Sequence, residues 1–255
     1  MRILSICVAL LASALQVFAQ ESLTVAAAAD LQPVMTDIAA RFEQQSGARV
    51  KLSFGSSGNF FAQIENGAPY DVFFSADVDY PTKLQAAGLI EPGSLYRYAT
   101  GKIALWASEG STVDVSKGLS ILGADAAKKI AIANPAHAPY GRAAEAALKS
   151  AGLWDSVSSK LVLGENIAQT AQFVQSGNAD VGIVALSLVL APGMKGKGRY
   201  FAVPQNLYPP LQQAAVILKD SQHKNLARMF LQFVKSNEIA FLLRQYGFSS
   251  EETER

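Results

Sequence analysis

The chain has 255 residues and a formal net charge of +1; half of its residues are apolar and 17% are charged. That balance excludes a disordered chain, and without a basic stripe it gives no footing for nucleic acid. The length accommodates one large domain or two small ones, each able to bury a core.

At the N-terminus, Met1-Arg2 supplies a positive start and Ile3 to Phe18 is almost wholly apolar. Val17-Phe18-Ala19 ends the run on residues suited to cleavage, so residues 1–19 read as a secretory signal peptide cut after Ala19. Cleavage would remove Cys7, the only cysteine, together with Arg2, leaving 21 basic against 21 acidic side chains. The mature chain is then expected to have no disulfide. No later run approaches about 18 consecutive apolar residues, so an exported, soluble product is expected.

Leu23 to Ala29 reads as a short buried strand, with Asp30 placed to cap the helix that follows through Leu31, Val34, Met35, Ile38 and Phe42. Gly47 is the expected helix stop. Arg49 to Phe54 alternates as a strand, Gly55-Ser56-Ser57-Gly58-Asn59 turns, and Phe60, Phe61 and Ile64 recur at helical spacing. Asp71 to Ala76 is another apolar strand, and Asp77 opens a helix that ends at Gly88. Three such units in succession predict a parallel sheet with crossover helices. The pattern restarts with strands at Ile103–Ala107 and Lys129–Ala133. A loop through Asn134–Gly141 then leads into an alanine-rich helix from Arg142 to Ala151. A strand at Leu161–Leu163, a helix begun by Glu165-Asn166, and an apolar strand at Ala179–Leu186 follow. Pro192–Gly198 reads as a flexible turn. Ala214–Leu218 is a last strand before a helix pair, Leu226–Val234 and Glu238–Tyr246.

Asp30, Ser57, Tyr140 and Ile167 all fall just after a strand, at or before a helix start. Ligands of parallel sheets bind beyond the carboxyl ends of the strands, where helix N-termini converge. A glycine-flanked serine pair at such a point presents hydroxyls and free N–H groups to a small anion. Two lobes with opposed helix N-termini would surround an anion with donors and need no fixed cation.

The stretches TVAAAADL, FGSSGNFFAQIENGAPYDVFFSAD, NPAHAPYGRAAEAAL, GENIAQTAQFVQSGNADVGIVAL and FLLRQYGF resemble, in that order, the periplasmic molybdate-binding proteins that serve molybdate ABC importers. The resemblance implies a two-lobed α/β periplasmic binding protein (a venus flytrap, type II-like), each lobe a mostly parallel sheet flanked by helices. It places one lobe at residues 20–100 plus 206–255 and the other at 101–205. The implied activity is periplasmic capture of molybdate, and tungstate with it, for delivery to a membrane permease. The chain would then be a monomer with no cofactor, no bare metal ion and no catalysis. Phosphate or sulfate is the alternative cargo. Carried over by position, the oxyanion contacts fall on Asp30, Ser57, Tyr140 and Ile167, with Ala29, Arg142 and Ala185 as further candidates. Ser57 and Tyr140 could donate through their hydroxyls, Asp30 and Ile167 only through the backbone.

Relatives usually carry Ser or Asn where this chain has Asp30, and a carboxylate repels a neighbouring dianion by about 1–4 kcal/mol at a few ångströms. Three roles compete for it: a cap on its own helix that points away from the ligand, an ion pair with Arg142, or an acceptor for a protonated anion. A serine hydrolase built on Ser56 or Ser57 is the rival from another class, but the motif is not the G-x-S-x-G elbow. The histidines, His137 and His223, have no carboxylate partner nameable from sequence, and no ligand-spaced cluster points to a metal. Tyr96 and Tyr98 read as an alternating hinge strand.

Overall fold

A computed structural model describes residues 21–249, so the expected signal peptide and Cys7 lie outside the described residues. β1 (Ser22–Ala28) is apolar because both of its faces are covered, and Leu23, Val25, Ala26 and Ala27 are fully buried. One 3-10 turn (Ala29–Leu31) leads into α1 (Gln32–Ser46), which buries Val34, Met35, Ile38, Ala39 and Phe42. α1 ends on Gly47 at φ 74°, a left-handed position that glycine adopts without strain. β2 (Arg49–Gly55), α2 (Ser57–Glu65), β3 (Val72–Ser75) and α3 (Asp79–Ala86) complete a run of strand–helix units, and β4 (Tyr96–Gly101) follows.

The second set comprises β5 (Ile103–Ser108), β6 (Ile130–Ala133), α4 (Pro139–Ser150), α5 (Trp154–Val157), β7 (Leu161–Gly164) and α6 (Ile167–Gln175). β8 (Val181–Ala185), the single turn α7 (Leu186–Val189) and β9 (Gly198–Ala202) close it. The chain then returns through β10 (Leu211–Ile217) and ends in α8 (Lys224–Val234) and α9 (Asn237–Gln245). Phe42 of α1 meets Phe230 of α8 edge-on, with centroids 5.0 Å apart, which seats the tail helices on the first lobe.

The strands form two five-stranded sheets, ordered β2-β1-β3-β10-β4 and β7-β6-β8-β5-β9. Each has a parallel core of three strands, β2-β1-β3 and β7-β6-β8, extended by an antiparallel strand, β10 or β5. The sheets are therefore mixed, because β4 and β10 lie side by side in the first sheet while the whole second lobe is threaded between them. β9 has no counterpart in the sequence reading; Arg199, Tyr200 and Ala202 are exposed, which erases the apolar alternation that marks a strand.

The expected cap at Asp30 is corrected. Ala28 stands at the start of the 3-10 turn and Leu31 at the start of α1, and neither start has a side-chain cap. The carboxyl group of Asp30 turns instead into the space between the lobes, and the residue is fully buried.

Candidate oxyanion site

The carboxyl ends of both parallel cores point at each other. From the first core come Ala29 and Asp30 after β1, Ser57 after β2 and Ala76 after β3; from the second, Tyr140 after β6, Ile167 after β7 and Ala185 at the end of β8. Ala28, Ala29 and Ala76 pack into one buried cluster with Tyr140, Ile167 and Ala185, so the two lobes share a core at this point. The chain places small residues on the first-lobe side, and that lets two sets of helix tips approach.

The capping of these tips is incomplete in a consistent way. In α2, Ser56 caps the helix by accepting from Asn59 N–H (3.3 Å), and Gly58 N–H donates across the cleft to the carbonyl of His137 (3.0 Å). In α6, Asn166 Oδ1 accepts from both Ala168 and Gln169 N–H, each at 3.0 Å. In α4, Pro139 has no N–H to satisfy, while Gly141 and Arg142 N–H return to the carbonyl of Ala138. What remains is the backbone N–H of Ser57, of Tyr140 and of Ile167, none of which finds an acceptor among the described residues. All three residues are buried, at 0%, 2% and 3% exposure. A buried N–H without a partner is rare and costs about 1–3 kcal/mol, so three together from different helices mark a place built for acceptors. Ser57 Oγ accepts from Ala76 N–H at 2.9 Å, which leaves the hydroxyl proton free to donate.

Asp30 occupies the opposite role in this donor-rich space. Its Oδ2 accepts from Gln213 Nε2 at 2.7 Å and from the Tyr140 hydroxyl at 3.0 Å, while Oδ1 is buried without a partner among the described residues. Gln213 Nε2 also reaches Tyr140 Oη at 3.1 Å, and its Oε1 accepts from the Tyr98 hydroxyl at 2.7 Å. The main-chain carbonyl of Asp30 accepts from Ser187 Oγ of the second lobe at 2.8 Å. Burial raises the Asp30 carboxyl from 3.8 to about 6, and the hydrogen bonds from Gln213 and Tyr140 offset only part of that rise. Burial and the neighbouring Asp30 charge also push the Tyr98 and Tyr140 hydroxyls well above the usual phenol range.

This geometry revises two expectations. The Tyr140 hydroxyl is directed at Asp30, so it offers the pocket its N–H and not its O–H. Arg142 does not pair with Asp30. Its guanidinium donates to Asp77 Oδ2 (2.5 Å) and to the Tyr80 hydroxyl (3.2 Å), and lies 5.6 Å from the Tyr80 ring centroid. That cluster belongs to the cleft rim, beside a cavity of about 450 Å³ lined by Ala76, Asp77, Pro139, Arg142, Pro210 and Gln212. The rim is pinned further by Asn59 against Glu165 and by Ser56 Oγ against His137 Nδ1 at 2.9 Å. Glu165 Oε2 stands 3.7 Å from His137 Nε2, beyond hydrogen-bond reach, and Ser56 Oγ is occupied as a helix cap. These groups form an interlobe latch.

Gln213, Ser187 and Tyr98 were not among the residues read from sequence as touching the site. One signal was available: Gln213 is the fully buried one of two neighbouring amides in the strand LQQAAVI, whose other residues are apolar. Gly101 is part of the same construction, because a Cβ there would lie 2.2 Å from the Tyr140 hydroxyl and 2.6 Å from Gln213 Nε2.

A two-lobed α/β protein with opposed, under-capped helix tips in the cleft is a solute receptor by construction. The family model for bacterial extracellular solute-binding proteins matches residues 23–249, and the chain belongs to that family. It is 42% identical over 224 residues to the molybdate-binding protein ModA of Azotobacter vinelandii, covering 88% of each chain. It is 40% identical to ModA of Rhodobacter capsulatus, over 89% of this chain and 87% of the relative. Its fold superposes on the periplasmic molybdate-binding protein of Azotobacter vinelandii with a TM-score of 0.84 and 36% identity, covering 89% of this chain and 99% of that one. The family is one of substrate-binding transport proteins and not a class of enzymes.

Proposed function

We propose that this protein binds molybdate, and tungstate with it, between its lobes in the periplasm and hands it to the permease of an ABC importer. The observation that carries this reading is the set of three buried N–H groups, on Ser57, Tyr140 and Ile167 at the starts of three helices, without acceptors among the described residues. A tetrahedral oxyanion is all acceptors, and helix N-termini favour negative charge without a counter-ion. Ser57 adds its hydroxyl. Ala29 and Ala185 contribute small walls, so pocket size selects among oxyanions: an anion smaller than the pocket leaves donors unpaired at about 1–3 kcal/mol each. The relatives' names supply the choice of molybdate over sulfate or phosphate. We take the lobes to be residues 20–100 with 206–255 and residues 101–205, closing about the two crossings at β4–β5 and β9–β10. Cargo then shifts the open–closed balance by binding the closed form more tightly.

Ile167→Pro tests the donor set directly. Proline is tolerated in the first turn of a helix, and Asn166 is already extended at φ −149°, ψ 176°, as a residue before proline should be. The variant removes one N–H from the pocket. The expected result is a ligand-free protein that folds with stability lowered by the lost burial of Ile167, and molybdate affinity weakened by about 10- to 150-fold, the worth of one hydrogen bond to a charged group. Unchanged affinity would remove α6 from the site. A thermal-shift panel of molybdate, tungstate, sulfate and phosphate on the wild type decides the cargo, and stabilisation by sulfate or phosphate alone would overturn the molybdate reading.

A further inference from the structure

Donors gather where the two lobes meet, and one carboxyl group lies among them. The N–H of Ser57, Tyr140 and Ile167 and the hydroxyl of Ser57 are suited to a dianion. The Tyr140 hydroxyl is saturated, with its proton on Asp30 Oδ2 and a lone pair receiving Gln213. Asp30 Oδ1 is left buried, without a side-chain partner among the described residues, and of the same charge as the cargo. No cation faces it among the described residues: the backbone N–H groups of Asp30 and Leu31 hydrogen-bond the carboxyl group, α4 turns Tyr140 toward it, β10 turns Gln213, β4 turns Tyr98, and α7 reaches only the main-chain carbonyl through Ser187. Tyr208, the other titratable neighbour of Tyr140, is tied to Ile103 N–H, and the nearest guanidinium in the cleft, Arg142, is held by Asp77.

Resting on the oxyanion reading above, we propose that Asp30 takes up one proton from solvent as a fully deprotonated tetrahedral oxyanion binds, so that Oδ1–H meets the anion as a donor. The O–H bond forms on Oδ1, the proton comes from water or buffer, and Oδ2 keeps its two acceptor bonds. The residue that looks hostile to the cargo thereby becomes a specificity contact, and affinity is tied to pH. With the lobes together, burial already holds this carboxyl at about 6, and a dianion beside it raises the value further. Above about pH 6 the free protein has lost the proton that the complex retains, so affinity falls toward tenfold per pH unit; below that, it levels off.

The test is calorimetric titration of the full mature chain with sodium molybdate at about pH 6, 7 and 8, at each pH in two buffers that titrate there and differ in heat of ionisation. The difference in observed heat between buffers counts protons. Close to one proton per anion is expected at about pH 7–8, with a matching slope in log Kd, and neither in Asp30→Asn. The wild-type proton count needs no variant, so a poorly folding Asp30→Asn does not spoil the test. Binding without proton uptake, or the same uptake in Asp30→Asn, overturns the role of Asp30 and leaves the molybdate reading intact. No molybdate binding at any pH overturns both.

Discussion

Gly58 lies in the first turn of α2 with a backbone conformation open to any residue, so alanine there is compatible with the isolated first lobe and is favoured in a helix by about 1 kcal/mol. Its surroundings in the closed protein are not so permissive. A Cβ would meet the His137 carbonyl oxygen at 2.5 Å, His137 Cα at 3.0 Å and the Tyr80 hydroxyl at 2.8 Å. Tyr80 is the end of a flexible side chain of the same lobe and can move. His137 is backbone of the opposite lobe, and it retreats only if the cleft widens. Reaching ordinary van der Waals distance takes about 0.9 Å, which stretches both Gly58 N–H···O=C of His137 (3.0 Å) and Ser56 Oγ···Nδ1 of His137 (2.9 Å) past useful length. At about 0.5–1.5 kcal/mol each, closure of Gly58→Ala is weakened by about 1–3 kcal/mol, or roughly 5- to 150-fold in ligand affinity. Urea unfolding without ligand should be unchanged or slightly improved, while titration with molybdate should show the loss and X-ray scattering with molybdate a larger radius of gyration than wild type. A variant that binds and compacts as well as wild type would refute the claim that this rim contact is part of the bound form.

Three further outcomes follow from the same geometry. The Asp30 carboxyl binds its proton at about 6 folded and 3.8 unfolded, so the stability it provides is full below 3.8 and is lost as pH rises to about 6. Asp30→Asn should therefore gain on the wild type by about 3 kcal/mol between pH 4 and 7 in ligand-free urea unfolding, and parallel stability–pH curves would contradict the burial assigned to it. Arg142→Met removes a half-exposed rim pair, worth about 0–1 kcal/mol, so molybdate affinity should fall less than about fivefold; a hundredfold loss would put the guanidinium on the anion. Asn166→Ala strips two caps from α6 and should lower stability by about 0.5–2 kcal/mol, seen as a reduced midpoint in urea.

The parallel cores could be read from the chain because each unit is local: an apolar run, a turn of glycine, serine or asparagine, then helical spacing, all within a few tens of residues. FGSSGN places Ser57 at a helix start for reasons contained in those six letters. The environment of Asp30 is different in kind. Its partners Tyr140, Ser187 and Gln213 stand 110, 157 and 183 residues away, on two helices and a strand. A local reading therefore assigns Asp30 the nearest job available, a helix cap, and offers Arg142 as the obvious counter-charge. The register shift between β10 and β4 contributes as well, since Gln213 faces Ala99 and Ala214 faces Arg97, leaving Tyr98 as the extra residue of a bulge. A bulge turns one side chain off the regular alternation, and here it sets the Tyr98 hydroxyl against Gln213, which in turn holds Asp30. No periodicity in SLYRYATG announces this.

The placement of that network explains why a buried carboxylate is tolerable in an anion site at all. Gln213 lies on β10, where the chain comes back from the second lobe, and Tyr98 lies on β4, where it leaves. Both therefore lie beside the crossings between the lobes, and Tyr140 comes from the other lobe. In the proposed opening, Tyr140 would be withdrawn from Oδ2 and water would reach the carboxyl group; on closing, solvent would be expelled and the carboxyl group would carry either a charge beside the cargo or a proton. Desolvation favours the proton, and a dianion favours it more. The same closure that pairs the three orphan N–H groups thus sets the charge of Asp30, and the number of protons counted on binding reports whether the two events are one.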